Sequence, residues 1–436
     1  MGVDRPCLDN VERLDHGCLR MVSRMSEVGI LIDQDHFKRF AIYLKSEEDR
    51  ISSAVYELTG HRVNLASPDQ LAELLFKKLE IKPKFNMKLV PTGKREVIND
   101  KVLESIKEYH PVIPMIQDFT ECNKLRTSFA ETLPRFADAA GRIHADFKLT
   151  RVITGRIAMA NPNLMGQPTR SELGKKIREG FIPPPGRMLG QIDLSQAQMR
   201  LAAHVSGCQN MLNVFWRNGD IHSETASMMF RIPIDKLDKY KHRYPAKRAG
   251  FGVLFMITGA GLVDQMQSNS DPSWTSQELQ SHRDYWTVQR CDEVLRDWYA
   301  VYSEIKEWQN AQILRARRYG MCWDPLFGRP RLIPDIRSSH KHIVADACRS
   351  ACNTPIVQCE TGVMKLVMAE TLDTIDKEKW DLLPLCQVHD SILFEGDKNL
   401  PEHMERIKKI VANAVPLDVP MLSDVEVGEG SWGSLH

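Results

Sequence analysis

Residues 35–135 carry a mostly helical pattern broken by polar, lysine-rich connections. Over residues 142–194 the pattern changes. Short apolar pieces alternate with Gly and Pro turns (Thr154-Gly155-Arg156, Asn161-Pro162-Asn163, Pro183-Pro184-Pro185-Gly186), which predicts strands and connections. A helical pattern returns over residues 197–318, where Thr275-x-x-Glu278 has the form of a capping box. The last stretch, residues 327–436, predicts a helix over 347–372 followed by a hairpin. Strand material thus lies on both sides of one helical block, and a second block precedes it. The simplest arrangement is an α+β fold: one sheet assembled from distant segments, flanked by two helical lobes.

Composition narrows this little. A chain of 436 residues, 42% hydrophobic and 26% charged, can bury a core without disulfides. The net charge of +1 gives no global signal for nucleic acid, but a local basic groove would suffice to bind it. Exposed cations are expected in the loop spanning residues 82–95 and at Lys124 and Arg126; a solvated surface would produce the same pattern. The ten cysteines include no C-x-x-C, and no histidine completes a ligand set beside Cys348 and Cys352, so all are read as reduced thiols. No apolar signal core or membrane-length run is present, and the expected location is cytoplasmic, in a bacterial or phage-infected cell.

Three clusters carry candidate chemistry. In Met188-Leu189-Gly190-Gln191-Ile192-Asp193-Leu194-Ser195 an apolar run ends in an acid, which is costly to bury unless it meets a cation or a donor. In Leu385-Cys386-Gln387-Val388-His389-Asp390-Ser391-Ile392-Leu393 the pattern is strand, tight turn, strand, with His389 and Asp390 at the turn. Two Asp residues at adjacent strand ends would make an oxygen-rich site suited to Mg²⁺. Either Asp alone would as readily be a turn or cap residue. In the third cluster Arg243, Lys247, Phe251 and Phe255 recur every four residues. On a helix, Arg243 to Phe251 spans about 12 Å, close to the length of a nucleoside triphosphate. Cations at one end suit phosphates and an aromatic at the other suits a base. The same spacing also fits an amphipathic helix with core aromatics and solvated cations. Pro245 belongs in a first turn, which puts Arg243 at the very end of such a helix.

These clusters, in this order, resemble the family A DNA polymerases, the group of bacterial DNA polymerase I. Gly29-Ile30-Leu31-Ile32-Asp33 is similar to the family's approach to the thumb, and Thr154-Gly155-Arg156 with Asn161-Pro162-Asn163-Leu164 to its primer-strand segment. Asp193-Leu194-Ser195-Gln196 resembles motif A, Arg243-x-x-x-Lys247-x-x-x-Phe251-Gly252 motif B, and Val388-His389-Asp390 motif C. Asp220-Ile221-His222, Phe327-Gly328-Arg329 and Arg349-x-x-x-Asn353-x-Pro355-x-x-Gln358 fall where the family has counterparts.

The resemblance implies a right-hand architecture: a palm with an antiparallel sheet, and helical thumb and fingers. The implied segments are 1–35 (the palm's first segment), 36–140 (thumb), 141–205 (palm, motif A), 206–345 (fingers, motif B) and 346–436 (palm, motif C). It implies template-directed addition of dNTPs to a primer 3′ end, with Asp193, Asp390 and the Leu194 carbonyl holding two Mg²⁺ ions (Mn²⁺ as a substitute) and Lys247 acting on the triphosphate. Arg243 and His222 would bind outer phosphates, Phe251 would stack on the nucleotide, Gln198 would stand beside its sugar and Phe255 near the templating base. Arg156, Asn163, Arg170, Asn353, Gln358, His389, Arg349, Lys124 and Arg126 would contact primer–template DNA. A monomer acting on DNA and dNTPs, with no membrane and no proofreading exonuclease in this chain, is the expectation.

Departures from the family are Gln198 for Glu, which removes a charge and an anchoring hydrogen bond; Ser391 for the Glu after motif C; and Phe255-Met256 for Tyr-Gly, which removes a hydroxyl and a hinge. Residues 267–288 exceed the family's usual connection. A single-subunit RNA polymerase and a catalytically dead primer–template clamp are the main rival classes, and a retroviral-type reverse transcriptase, which lacks this fingers helix, is a third. The spacing Lys247-x-x-x-Phe251-Gly252 disfavours the first, and the four charged motif residues disfavour the second.

Overall fold

The computed structural model describes residues 3–81, 98, 100–168, 171–268 and 273–435. At its centre is an antiparallel sheet of four strands, in the order Leu422–Gly428, Met188–Ser195, Ser391–Gly396, Leu382–Val388. The last two form a hairpin closed by His389 and Asp390, with His389 at φ 56°. The strand Met188–Ser195, almost two hundred residues upstream, inserts between the hairpin and the C-terminal strand.

Strand alternation assigns the faces. Gly190, Ile192 and Leu194 point one way. The helix Leu400–Asn413 packs close over Gly190, where a Cβ would lie 3.1 Å from Met404 and 3.2 Å from Leu400. Ile192 and Leu194 join a core shared with the helix Leu8–Val28, the long helix Lys341–Glu378 and the second helical block. Leu189, Gln191 and Asp193 point the other way. Leu189 joins the core of the first block, built on the helices Gln34–Thr59 and Val112–Leu125. Gln191 accepts a hydrogen bond from the Trp432 indole at 2.6 Å. Asp193, two residues further along this face, lines a cavity.

The first helix of that block starts at Asp33, whose carboxylate accepts from the His36 N–H at 2.8 Å, and stops at Gly60, φ 70°. The Thr275–Glu278 capping box forms and opens the helix Ser276–Tyr285. Two sequence expectations need correction. A helix, Glu172–Glu179, lies inside the stretch read as strands and connections; Ser171 caps it. The helix expected over 347–372 runs from Lys341 to Glu378 and absorbs Pro355 without ending. The basic loop 82–95 lies outside the described residues. All ten cysteines are free. Among the described residues no helix is long and apolar enough to cross a membrane.

Candidate active site

The strand Met188–Ser195 and the hairpin turn bring the two aspartates together. The Leu194 N–H donates to the Asp390 carbonyl at 3.0 Å, so the backbone itself ties the residue after Asp193 to the second acid. Both side chains line a cavity of about 330 Å³ with Arg178, Gln191, His389, Asp424 and Glu426. In the sheet register Asp193 stands between Ser391 on one side and Asp424 on the other. Burial raises the Asp193 carboxyl to about 7, and Asp390, then Asp424, Glu426 and Glu360, push in the same direction. A carboxylate crowded by others is a site that a divalent cation relieves, and oxygen donors suit Mg²⁺ or Mn²⁺. The residues therefore fit the implied ions, although no three His, Cys, Asp or Glu side chains gather as a ligand set among the described residues. Arg178 lines the same cavity, and its guanidinium lies 4.4 Å from the Trp432 ring centroid.

The second cluster sits on the helix Tyr244–Leu254. A π-turn over Lys239–Arg243 precedes it, with the Arg243 N–H bonded five residues back to Asp238 at 3.1 Å. The Pro245 ring fits in the first α-turn and Arg243 stands at the helix end, as Pro245 implied. The helix packs mainly against Ile221–Phe230 and touches the one that follows Asp193, Ala197–Ser206, where a Cβ on Gly250 would lie 3.7 Å from Met199. Phe251 is half-buried and its ring lies 5.6 Å from that of His222. Lys247 is exposed and makes no ion pair with a described residue. The Asp220 carboxylate caps the helix Ile221–Phe230 and holds the Arg243 Nε at 2.6 Å.

Several sequence expectations change here. His222 is buried, and burial, with Lys247 and Arg243 adding to it against Asp220, lowers its pKa to about 4. It is therefore neutral at pH 7, a hydrogen-bonding group rather than a phosphate-neutralising charge. The helical stripe stops at Leu254. Phe255 lies beyond it, 39% exposed, and Met256 turns the chain at φ 52°. Ile257 folds back on Gly252, where a Cβ would lie 2.7 Å away, so this glycine is needed for the turn. Met256 thus adopts the left-handed conformation that a glycine would take without strain. Gln198 keeps an anchor despite its lost charge: its Nε2 donates to Glu360 at 3.2 Å.

The expected DNA contacts divide. Arg156 pairs with Glu360 at 2.6 Å. Gln358 is buried, and neither amide atom has a described partner. His389 is exposed at the hairpin turn, Asn353 is half-buried, and Asn163 caps a short 3₁₀ turn through the Met165 N–H. Lys124 is exposed, and Arg349 pairs with Asp346. Arg126 is turned inward: it grips the buried Glu48 at 2.7 and 3.0 Å and Glu131 at 2.6 Å, which commits it to holding the first block together. Arg170 lies outside the described residues. Sequence reasoning missed Glu360, Asp424, Glu426 and Arg178. The alternation Asp424-Val425-Glu426-Val427 was the one available signal for two of them.

The comparisons agree with this geometry. The family described as DNA polymerase family A matches residues 34–434. The thermostable DNA polymerase I of Thermus aquaticus is 32% identical over 411 residues, covering 94% of this chain and 46% of that protein. DNA polymerase I of Deinococcus radiodurans is 31% identical over 438 residues, covering 98% of this chain and 43% of the relative. The chain spans less than half the length of these relatives. Among solved structures, the POL domain of Pol1 from M. smegmatis, in complex with DNA primer-template and dNTP, superposes with a TM-score of 0.85 at 26% identity; the match covers 96% of this chain and 70% of that one. The right-hand plan, with an antiparallel-sheet palm and helical thumb and fingers, describes this chain too.

Proposed function

The chain belongs to DNA polymerase family A, and from that premise we propose that it adds dNTPs to the 3′ end of a primer on a DNA template. The observation that carries this reading is the pairing of Asp193 and Asp390 at one cavity, tied by the Leu194–Asp390 backbone hydrogen bond. The POL domain it resembles holds primer-template and dNTP, which supports the same partners here.

Asp193, Asp390 and the Leu194 carbonyl would hold Mg²⁺ ions. When bound, these supply the positive charge that activates the primer hydroxyl and stabilises the leaving pyrophosphate. The chain's own residues position the reactants for in-line phosphoryl transfer. Lys247, exposed and one turn from Phe251 on the same helix, meets the triphosphate and can hand a proton to the departing pyrophosphate oxygen. Arg243 meets the outer phosphates after exchanging Asp220 for them, and neutral His222 contributes a hydrogen bond. Phe251 stacks on the nucleotide and Phe255 lies toward the templating base. Arg156, Asn353 and Gln358 follow the minor-groove edge, with the Gln358 amide making no hydrogen bond to a described residue. His389 sits at the primer end, and Asn163, Arg349 and Lys124 face the DNA backbone. Arg126 takes no part in this reading.

Extension of a labelled primer on a defined template, with each nucleotide set and Mg²⁺, tests it. Extension should require Mg²⁺ and the templated dNTP. Lys247→Ala should slow the single-turnover rate about 10²–10³-fold while duplex affinity stays within a few-fold. An inert wild-type chain, or an unchanged rate in the variant, would reject the assignment.

A further inference from the structure

Glu360 is an acid in an unusual position. It lies on the long helix Lys341–Glu378, buried to 6% exposure between Cys359 and Thr361, which are themselves buried. Burial raises its pKa against the pull of Arg156. A buried carboxylate is expensive unless it is used. One oxygen, Oε2, receives two donors from two other parts of the chain. Arg156, in the loop before the strand Ala158–Ala160, comes within 2.6 Å. Gln198, on the helix that follows Asp193, comes within 3.2 Å. The same carboxylate is close enough to Asp193 and Asp390 to disturb their charge balance. Glu360 therefore joins the metal-binding aspartates, the helix after them and the loop that presents Arg156.

The hydrogen bond to Gln198 has a directional consequence. A carboxamide has a donor end and an acceptor end. A carboxylate can only accept, so it holds the NH₂ end and leaves Oε1 as the group open to a substrate. Position 198 lies one turn after the strand end that bears Asp193. The sugar of a nucleotide whose phosphate lies at Asp193 must sit within a few ångströms of that end.

Resting on the polymerase reading above, we propose that Glu360 is a positioning residue that sets sugar selection: it fixes which end of the Gln198 carboxamide faces the incoming nucleotide and holds Arg156 beside it. The discriminating element is then a pair, a neutral amide and a buried anion, rather than the side chain at position 198 alone. A site with an acceptor fixed toward the sugar treats a 2′-hydroxyl differently from a methylene, because an acceptor left without a donor is costly in the closed site.

A double-mutant cycle tests this: Gln198→Glu, Glu360→Gln and the double variant that exchanges the two side chains, each assayed for kcat/KM with a dNTP and with the matching rNTP. Gln198→Glu brings two carboxylates to one hydrogen-bond distance, and Glu360→Gln frees the amide to rotate. Each single variant should change the dNTP/rNTP ratio at least tenfold. The exchange variant restores one anion and one amide, and should return within about threefold of wild type. If Glu360→Gln melts markedly lower, the comparison of Gln198→Glu with the exchange variant carries the test: recovery of the ratio in the exchange variant supports the pair, and no recovery overturns it. Ratios within twofold of wild type in the singles, or single effects that simply multiply in the double variant, would overturn the proposal. A wild-type chain that extends no primer sinks the polymerase reading instead. An active wild type with indifferent variants sinks only the role of Glu360.

Discussion

Two carboxylates on one face of the central sheet have opposite surroundings. In the strand register Glu395 stands opposite Leu189, and Asp193 lies four residues along the strand from Leu189, about 13 Å away. Glu395 is 1% exposed and fully answered: Arg142 comes within 2.8 Å and Arg187 within 2.7 Å. Among the described residues Asp193 has no such ion-pair partner, although Arg178 lines the same cavity. Its neighbours across the register are Ser391 and Asp424, and the nearby charges that matter most are acidic. One end of the face is charge-compensated and serves stability. At the other end compensation is withheld, and the deficit is what a cation and a triphosphate would fill. Such a site costs folding free energy that the rest of the sheet must supply.

The sharpest way to break this contrast is Asp193→Asn. Primer extension should fall by about 10³-fold or more if the proposed metal ligand is lost. The same substitution removes a crowded, partly buried charge, so the protein should become more stable by about 1–2 kcal/mol at pH 7.5, after allowance for solvent screening. Extension assays and urea denaturation measure the two effects on one preparation. A variant that is both inactive and destabilised would contradict the contrast.

The compensated end should respond in the opposite sense. Arg142→Ala leaves the buried Glu395 with Arg187 as its remaining cation and should cost about 2–3 kcal/mol, toward the low end for a broken buried ion pair because one partner stays. Equilibrium denaturation reads this directly. A loss below about 0.5 kcal/mol would mean that Glu395 is already solvated, and the comparison would fail at that end.

The pH dependence of stability separates the two ends further. An acid whose folded pKa lies near 7, above its usual 3.8, holds its proton more tightly in the folded state. It costs nothing where both states are protonated, and its cost grows as pH rises from about 4 to 7. His222 acts in the opposite pH direction: its pKa is pushed down to about 4, so its cost appears as pH falls below 6.5. The raw profile superposes both, and subtracting one protein from the other isolates the acid. The stability gap between Asp193→Asn and wild type should be near zero at pH 4, open to its full value of about 1–2 kcal/mol by pH 8, and narrow again when Mg²⁺ is added. A gap independent of pH would show that Asp193 is not electrostatically strained.

Which of these features could be read in the sequence follows from chemical range. Asp193 and Asp390 were legible because each interrupts an apolar strand pattern, a local signal. The strands were legible because each carries its own short apolar run beside turn residues, a local signal that survives even though the strand Met188–Ser195 lies almost two hundred residues from the hairpin it joins. The short helix Glu172–Glu179 was not, since two turns between Pro and Gly clusters give too little periodicity. Arg126 looked like a surface cation because its partner Glu48 is 78 residues away. Glu360 went unnoticed for the same reason: its donors are 162 and 204 residues distant. Local pattern reveals which elements form. Charge pairing between elements depends on the packing that the pattern does not specify.

Asp424 gives the smallest and most discriminating effect. It is the register partner of Asp193 on the C-terminal strand, and among the acids that raise the Asp193 pKa it comes after Asp390. It is a neighbour, not one of the proposed ligands, so Asp424→Asn should leave the site assembled and relax only its repulsion. At pH 8 this should stabilise the protein by about 0.5 kcal/mol, the usual scale for a single interaction between partly solvated charges. The same change should weaken apparent Mg²⁺ affinity about two- to threefold, because one attractive charge is gone. Titrating Mg²⁺ in the extension assay and following urea unfolding of the same variant gives both numbers. If stability and Mg²⁺ affinity moved in the same direction, the deficit at Asp193 would not be the quantity that binds the ion.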